Sequence, residues 1–320
     1  MEYDEQKFID NIICKESEFR ALFCCFMLNA NNYIFRKNKN VASKWHYYGL
    51  KIKPIRSKMI NEETKGERYM KVISMINQKG GVGKTTSTYN IAVLLARKYR
   101  VLMIDSDSQA SLTLMTANNP LALEYSLADV YSGNKNIEDC IYQLPIDNLS
   151  LVSSNLSLAK LETTLMAVPF GRETKLEKAL KRIEEQFDYV IVDCPPSLGI
   201  LTINSLVASD YVIAPCETSP LSVYALDDLT DTINAVKEIN GRLELLGVIA
   251  TKYNKIAKSD RASLDSLEEE YKILGIIKNS VSAKKGIEDG VPCVISDSGS
   301  DVAKSYNEIT NRILEEVENG

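Results

Sequence analysis

Lys79-Gly80-Gly81-Val82-Gly83-Lys84-Thr85-Thr86 packs three of the chain's 15 glycines into four positions. It directly follows a β-rich apolar run, Val72–Ile76. It also opens the stretch Thr85–Lys98, in which Ile91, Leu94 and Leu95 recur at helical spacing. Strand, glycine-rich turn and helix, in that order, form the context in which a phosphate loop works. Glycines let successive backbone N–H groups turn inward on phosphate oxygens with no Cβ in the way. The helix start adds the positive end of its dipole. Lys84 then reaches the β- and γ-phosphates, and the Thr85 hydroxyl can ligate Mg2+. The ordinary pattern has a glycine five residues before Gly83, where this chain has Gln78.

Outward from this loop, the same alternation continues to the end of the chain. Apolar runs at Val101–Ile104, Leu149–Val152, Tyr189–Val192, Tyr211–Ala214, Leu245–Ala250 and Ile273–Ile277 read as strands. Between or after them, Thr174–Gln186, Leu221–Ile239, Leu264–Tyr271 and Val302–Val317 read as helices. Strands that are apolar throughout and alternate with helices predict an α/β fold, a mostly parallel twisted sheet covered on both faces. Two of the strands end in acid: Asp105-Ser106-Asp107-Ser108-Gln109 and Asp193-Cys194-Pro195-Pro196. Ligands of open parallel sheets bind beyond the carboxyl ends of the strands, so these carboxylates face the same crevice as the loop. Mg2+ takes one or two carboxylates and keeps several waters, a role that suits Asp193.

Two domains' worth of chain, 320 residues, divides at Met70. Residues 70–320 hold the α/β pattern and carry 25 basic and 34 acidic residues, while residues 1–69 carry 13 and 9. Any nucleic-acid contact of the larger part is therefore a local patch and not a global field. In the extension, Phe19, Leu22, Phe23 and Phe26 share one helical face. Tyr33–Ile60 then holds eight basic residues and no acidic one, interleaved with aromatics. That stretch reads either as a nucleic-acid-binding arm or as a peripheral, poorly ordered extension upstream of a start at Met70. The longest apolar run, Ala21–Leu28, is far short of the roughly 18 residues that span a bilayer. Seven cysteines without a C-x-x-C spacing argue against a disulfide framework and for a reducing cytoplasm. The single histidine, His46, excludes mechanisms that need several.

Three motifs in order resemble those of the ParA/MinD-type partition ATPases, which carry a deviant phosphate loop. They are Lys79-Gly-Gly-Val-Gly-Lys84-Thr-Thr with its extra lysine, Val-Leu-Met-Ile-Asp105-Ser-Asp107-Ser-Gln109, and Tyr-Val-Ile-Val-Asp193-Cys-Pro-Pro. The resemblance runs from Met70 to about Val317 and implies ATP and Mg2+ as cofactors. Nucleotide would be bound by Lys79, Gly80, Gly81, Val82, Gly83, Lys84, Thr85 and Thr86, and the metal shell built from Thr85, Asp105 and Asp193. It also implies an ATP-sandwich homodimer in which Lys79 crosses to the partner's phosphates, Lys84 acts in its own site, and Asp107 positions the attacking water. Members of this family bind DNA non-specifically as ATP dimers, on the nucleoid. They release it when a ParB-like centromere-binding protein stimulates hydrolysis. Lys237 falls where chromosome-partition relatives place a DNA-contacting residue. A Pro-Arg pair and a further arginine of those relatives are absent from Lys278-Asn279-Ser280-Val281-Ser282, leaving Lys278, Lys284 and Lys285 as substitutes. The alternative is a MinD-like membrane-associated regulator, which needs a basic amphipathic C-terminal helix. The sequence Leu314-Glu-Glu-Val-Glu-Asn-Gly320 is acidic, so no membrane partner is expected.

Overall fold

The computed structural model describes residues 70–117, 119–280 and 290–319. The extension 1–69, with its aromatic face and basic stretch, and the lysines Lys284 and Lys285 lie outside the described residues. Eight strands form one sheet in the order β3-β4-β2-β5-β1-β6-β7-β8. They are β1 (Lys71–Met75), β2 (Val101–Asp105), β3 (Ile141–Gln143), β4 (Leu149–Val152), β5 (Tyr189–Asp193), β6 (Tyr211–Glu217), β7 (Glu244–Tyr253) and β8 (Ile273–Lys278). Every pairing is parallel except that of β3 on β4. β1 sits between β5 and β6, so the loops after β1, β2 and β5 open at neighbouring places on one edge.

Alternation along each strand divides the apolar residues between two cores. Val72, Leu102, Ile104, Val190, Val192 and Val212 face one side, and Ile73, Met75, Met103, Ile191 and Ile213 face the other. On the first side lie α3 (Leu127–Ser132), α4 (Ser157–Met166), α5 (Lys175–Leu180), α6 (Ile200–Ala208) and α7 (Pro220–Lys237). Leu158, Leu176, Leu206 and Leu229 are their buried anchors. The second side is covered by α1 (Lys84–Leu95) and α10 (Asp301–Asn319) through Ile91, Leu95, Ile309 and Ile313. Among the rest, α2 (Ser111–Thr116) follows β2, α8 (Lys258–Glu270) follows β7, and α9 (Cys293–Ser296) precedes α10. Among the described residues no helix is long and apolar enough to cross a membrane.

The strands and helices expected from residue 70 onward are present, with shifted ends. The helix read at Thr174–Gln186 stops at Leu180 and continues as tighter turns, Arg182 N–H donating to Ala179 and Ile183 N–H to Leu180. That tightening seats Ile183 in the core. The helix read at Leu264–Tyr271 begins earlier, at Lys258, because its first turn is polar and has no apolar period to read. β3, α2, α3, α4, α6 and α9 were not read from the sequence: β3 is three half-buried residues, and α6 is buried on nearly every side, Thr202, Asn204 and Ser205 included, so it offers no amphipathic period.

Candidate functional site

The loop after β1 is set by its own side chains before any ligand arrives. Asn77 donates through Nδ2 to the Pro215 carbonyl at 2.9 Å and accepts the Lys79 N–H at 2.8 Å. The Val82 carbonyl accepts the Thr251 hydroxyl of β7 at 2.8 Å. Gly83 caps α1 at φ +94°, a conformation that glycine alone adopts without strain. The loop thus curls over the carboxyl edge of the sheet and lines a cleft of about 340 Å³. Gly80 to Thr86 form its floor, Asp107, Ser111 and Pro196 one wall, and Ile277, Lys278, Asn279 and Ser280 another.

Within that cleft Lys84 is buried, and its Nζ donates to the carbonyls of Asn77 at 3.0 Å and Lys79 at 3.3 Å. Burial lowers its pKa, and the Asp193 carboxylate opposes the shift. Neutral carbonyls are partners that a phosphate oxygen can replace at a gain, since a charged acceptor makes the stronger bond.

Asp105 and Asp193 are register partners at the ends of β2 and β5, and both are buried. Asp193 Oδ2 accepts the Thr85 hydroxyl at 2.6 Å, while its Oδ1 has no partner. Asp105 Oδ2 accepts both the N–H and the hydroxyl of Thr113 at 2.8 Å, and its Oδ1 accepts the Asp107 N–H at 3.2 Å. Desolvation raises both pKa values, and for Asp193 the neighbouring Asp105 adds to the rise. A buried oxygen without a donor, next to a threonine hydroxyl, fits a hard cation with oxygen ligands. Thr85 and Asp193 supply that pair, whereas Asp105 is committed to the start of α2. Asp107, half-buried, faces the loop across the cleft, with Oδ1 accepting the Gln109 N–H at 2.9 Å. Cys194 is buried, and its thiol is pushed up to about 12, which makes it structural and unreactive at neutral pH.

Lys79 departs from the rest of its loop. It does not line the cleft. Its Nζ lies 2.7 Å from Glu217 Oε2 and donates to Ser222 Oγ at 3.0 Å and Ser219 Oγ at 3.3 Å. Of the candidate DNA lysines, Lys237 is exposed in the last turn of α7. Lys278 instead borders the cleft and pairs with Asp301 at 3.0 Å. α7 leaves from the carboxyl end of β6 and runs back beside the sheet, so these two lysines are not brought together. The partners of the site that sequence reading missed are Glu217, Ser219, Ser222, Thr113 and Thr251. Each lies on another element at no fixed spacing from a motif. Only Asn77, two residues from Lys79, stood near enough to be suspected.

The raised acid pair gives a pH test. A carboxyl whose folded pKa lies above its unfolded value keeps its proton in the fold while the unfolded chain loses it, so stability falls as pH rises from about 4. The ligand-free protein is expected to melt at progressively lower temperature from pH 5.5 to 8.5. Asp193→Asn should remove roughly half of that slope, leaving Asp105 to account for the remainder. Parallel slopes for the two proteins in differential scanning fluorimetry would contradict this.

Three comparisons bear on the site. The family described as AAA domain matches residues 70–245. The sporulation initiation inhibitor protein Soj of Bacillus subtilis is 30% identical over 248 residues, 76% of this chain and 98% of that one. Among solved structures, a putative plasmid partition protein of Borrelia burgdorferi bound to AMPPNP superposes with a TM-score of 0.68 at 28% identity, covering 77% of this chain and 98% of that one. The cobyrinic acid a,c-diamide synthase of Mycobacterium smegmatis, with bound ATP analog and magnesium, gives 0.67 at 30%, covering 78% and 97%.

Proposed function

The chain belongs to the ParA/MinD-type ATPases, and we propose that it is a partition ATPase that hydrolyses ATP with Mg2+ and binds DNA non-specifically as an ATP-dependent dimer. Its relatives include a chromosome-partitioning ATPase of Treponema pallidum and a cell division protein of Myxococcus xanthus. The observation that carries the reading is the parting of the two loop lysines. Lys84 points into the cleft, where the loop amides would hold the β- and γ-phosphates, and Lys79 points out of it. An ammonium on the phosphate loop that turns from its own cleft to a partly exposed carboxylate fits service to a second copy once that carboxylate gives it up.

Thr85 and Asp193 would hold Mg2+, which supplies neutralisation of charge on the terminal phosphates. The chain's own residues do the rest. Loop amides and Lys84 stabilise charge developing on the leaving group. Asp107 holds a water in line, a task of positioning, since an ordinary carboxylate is a weak general base at neutral pH. DNA release would follow hydrolysis, prompted by a ParB-like partner.

Co-sedimentation with DNA in ATP, in ADP and without nucleotide tests this reading. DNA should be retained in ATP alone, with liposomes of anionic lipid left unbound; retention on liposomes and not on DNA would favour a MinD-like regulator. In the same assay Lys237→Glu should weaken DNA binding and flatten its salt dependence by about one unit of slope for each phosphate that is no longer neutralised. Its basal hydrolysis should not change. An unaltered slope would move the DNA surface away from the end of α7.

A further inference from the structure

The surroundings of Lys79 are more complete than a chance surface contact requires. An ammonium has three donors, and here three acceptors meet it: Glu217 Oε2, Ser222 Oγ and Ser219 Oγ. Ser219 and Ser222 also face each other, Oγ to Oγ, at 2.7 Å. Ser219 is the N-cap residue of α7, where a serine usually accepts a hydrogen bond from the first-turn amides. It makes no such cap bond here. Its hydroxyl is given to the Lys79 cage instead. The hydrogen bond from Lys79 in turn holds the Glu217 carboxyl below its ordinary range.

Resting on the dimer reading above, we propose that Glu217, with Ser219 and Ser222, is a cis anchor that holds Lys79 within its own subunit and competes with the partner's nucleotide for it. Glu217 is then a positioning residue, acting through Lys79. Three features suit it to release as well as to hold. The pair is only partly shielded, with side-chain exposures of 37% and 28%, so water screens the attraction and keeps the exchange near balance. A second cation, Lys252 Nζ, stands 3.8 Å from the other carboxylate oxygen. When Lys79 leaves, the carboxylate keeps a counter-charge. Finally, the Lys79 carbonyl is one of the two acceptors for Lys84. When a phosphate takes Lys84, one tie on the backbone of Lys79 goes with it, which links filling of the cleft to freedom of the lysine beside it.

A dimer needs the anchor open in both copies, so the anchored fraction reduces apparent affinity twice. Glu217→Gln keeps the shape and removes the charge. With AMPPNP and Mg2+, the full-length variant should dimerise at about tenfold lower protein concentration than wild type, read by sedimentation velocity. The gain should vanish in a Lys79→Ala background. A second reading needs no dimer: acetylation of Lys79 by an N-hydroxysuccinimide ester without nucleotide, followed by peptide mass spectrometry, should be several-fold faster in Glu217→Gln. If that variant fails to fold, Ser222→Ala removes one acceptor of the same cage and should show a smaller change in the same direction. Faster labelling with tighter dimerisation supports the anchor. Unchanged labelling overturns it, and so does faster labelling with unchanged dimerisation when wild type dimerises. A wild type that binds AMPPNP yet stays monomeric, with labelling still faster in the variant, overturns the dimer reading and the competition with it.

Discussion

Lys84→Ala should lose ATP hydrolysis by at least about a thousandfold in kcat/KM and fail to dimerise with ATP. The size of the effect follows from what the side chain faces. It is the one buried cation inside the cleft among the described residues, set against phosphates whose charge shifts toward the leaving group during transfer. Removing a single preorganised donor at such a centre costs about a hundred- to a thousandfold, and loss of ground-state nucleotide affinity adds to it. The fold should survive, because Lys84 bonds only the carbonyls of Asn77 and Lys79, which water can satisfy in the opened cleft. Phosphate release, nucleotide titration and a melting curve together check this. Near-normal hydrolysis in a folded variant would remove the phosphate loop from the reaction.

Asp107→Ala should separate binding from hydrolysis. The Asp107 carboxylate takes no part in holding the loop; its Oδ1 bonds the Gln109 N–H two residues on. The hydroxyl–carboxylate pair suited to the metal, Thr85 with Asp193, is untouched by the change. ATP and Mg2+ affinity should therefore stay within about threefold of wild type, while kcat falls by about a hundredfold, the usual cost of a misplaced reactant. On DNA the variant should persist after wild type has dissociated. Stopped-flow phosphate release and DNA dissociation under an ADP chase measure the two halves. A variant that loses nucleotide affinity in step with kcat would place Asp107 in the binding shell instead.

Much of this was legible in the chain because it is local. The glycine loop with its flanking strand and helix is one contiguous stretch. Asp105, Asp107 and Asp193 each stand at or just beyond the end of a strand that is apolar throughout, so the fold itself brings them to one edge. What could not be read is what depends on distance in sequence. Thr113 takes up Asp105 Oδ2 from eight residues away, a tie to α2 that no motif announces. Glu217 meets Lys79 from a strand 138 residues later in the chain, and no periodicity announces such a pair. Lys237 and Lys278 were both candidate DNA contacts in the sequence, and the sheet sets them apart, one at the end of α7 and the other on the rim of the cleft.

Sedimentation velocity of Asp107→Ala with Mg2+ and ATP tests the claim that nucleotide assembles this chain through Lys79. Slow hydrolysis holds the ATP state long enough to observe. The expected result is a dimer with ATP, a monomer with ADP, and a monomer with ATP once Lys79→Ala is added. A monomer under all three conditions, with ATP shown to be bound, would contradict it, as would a dimer indifferent to both nucleotide and Lys79.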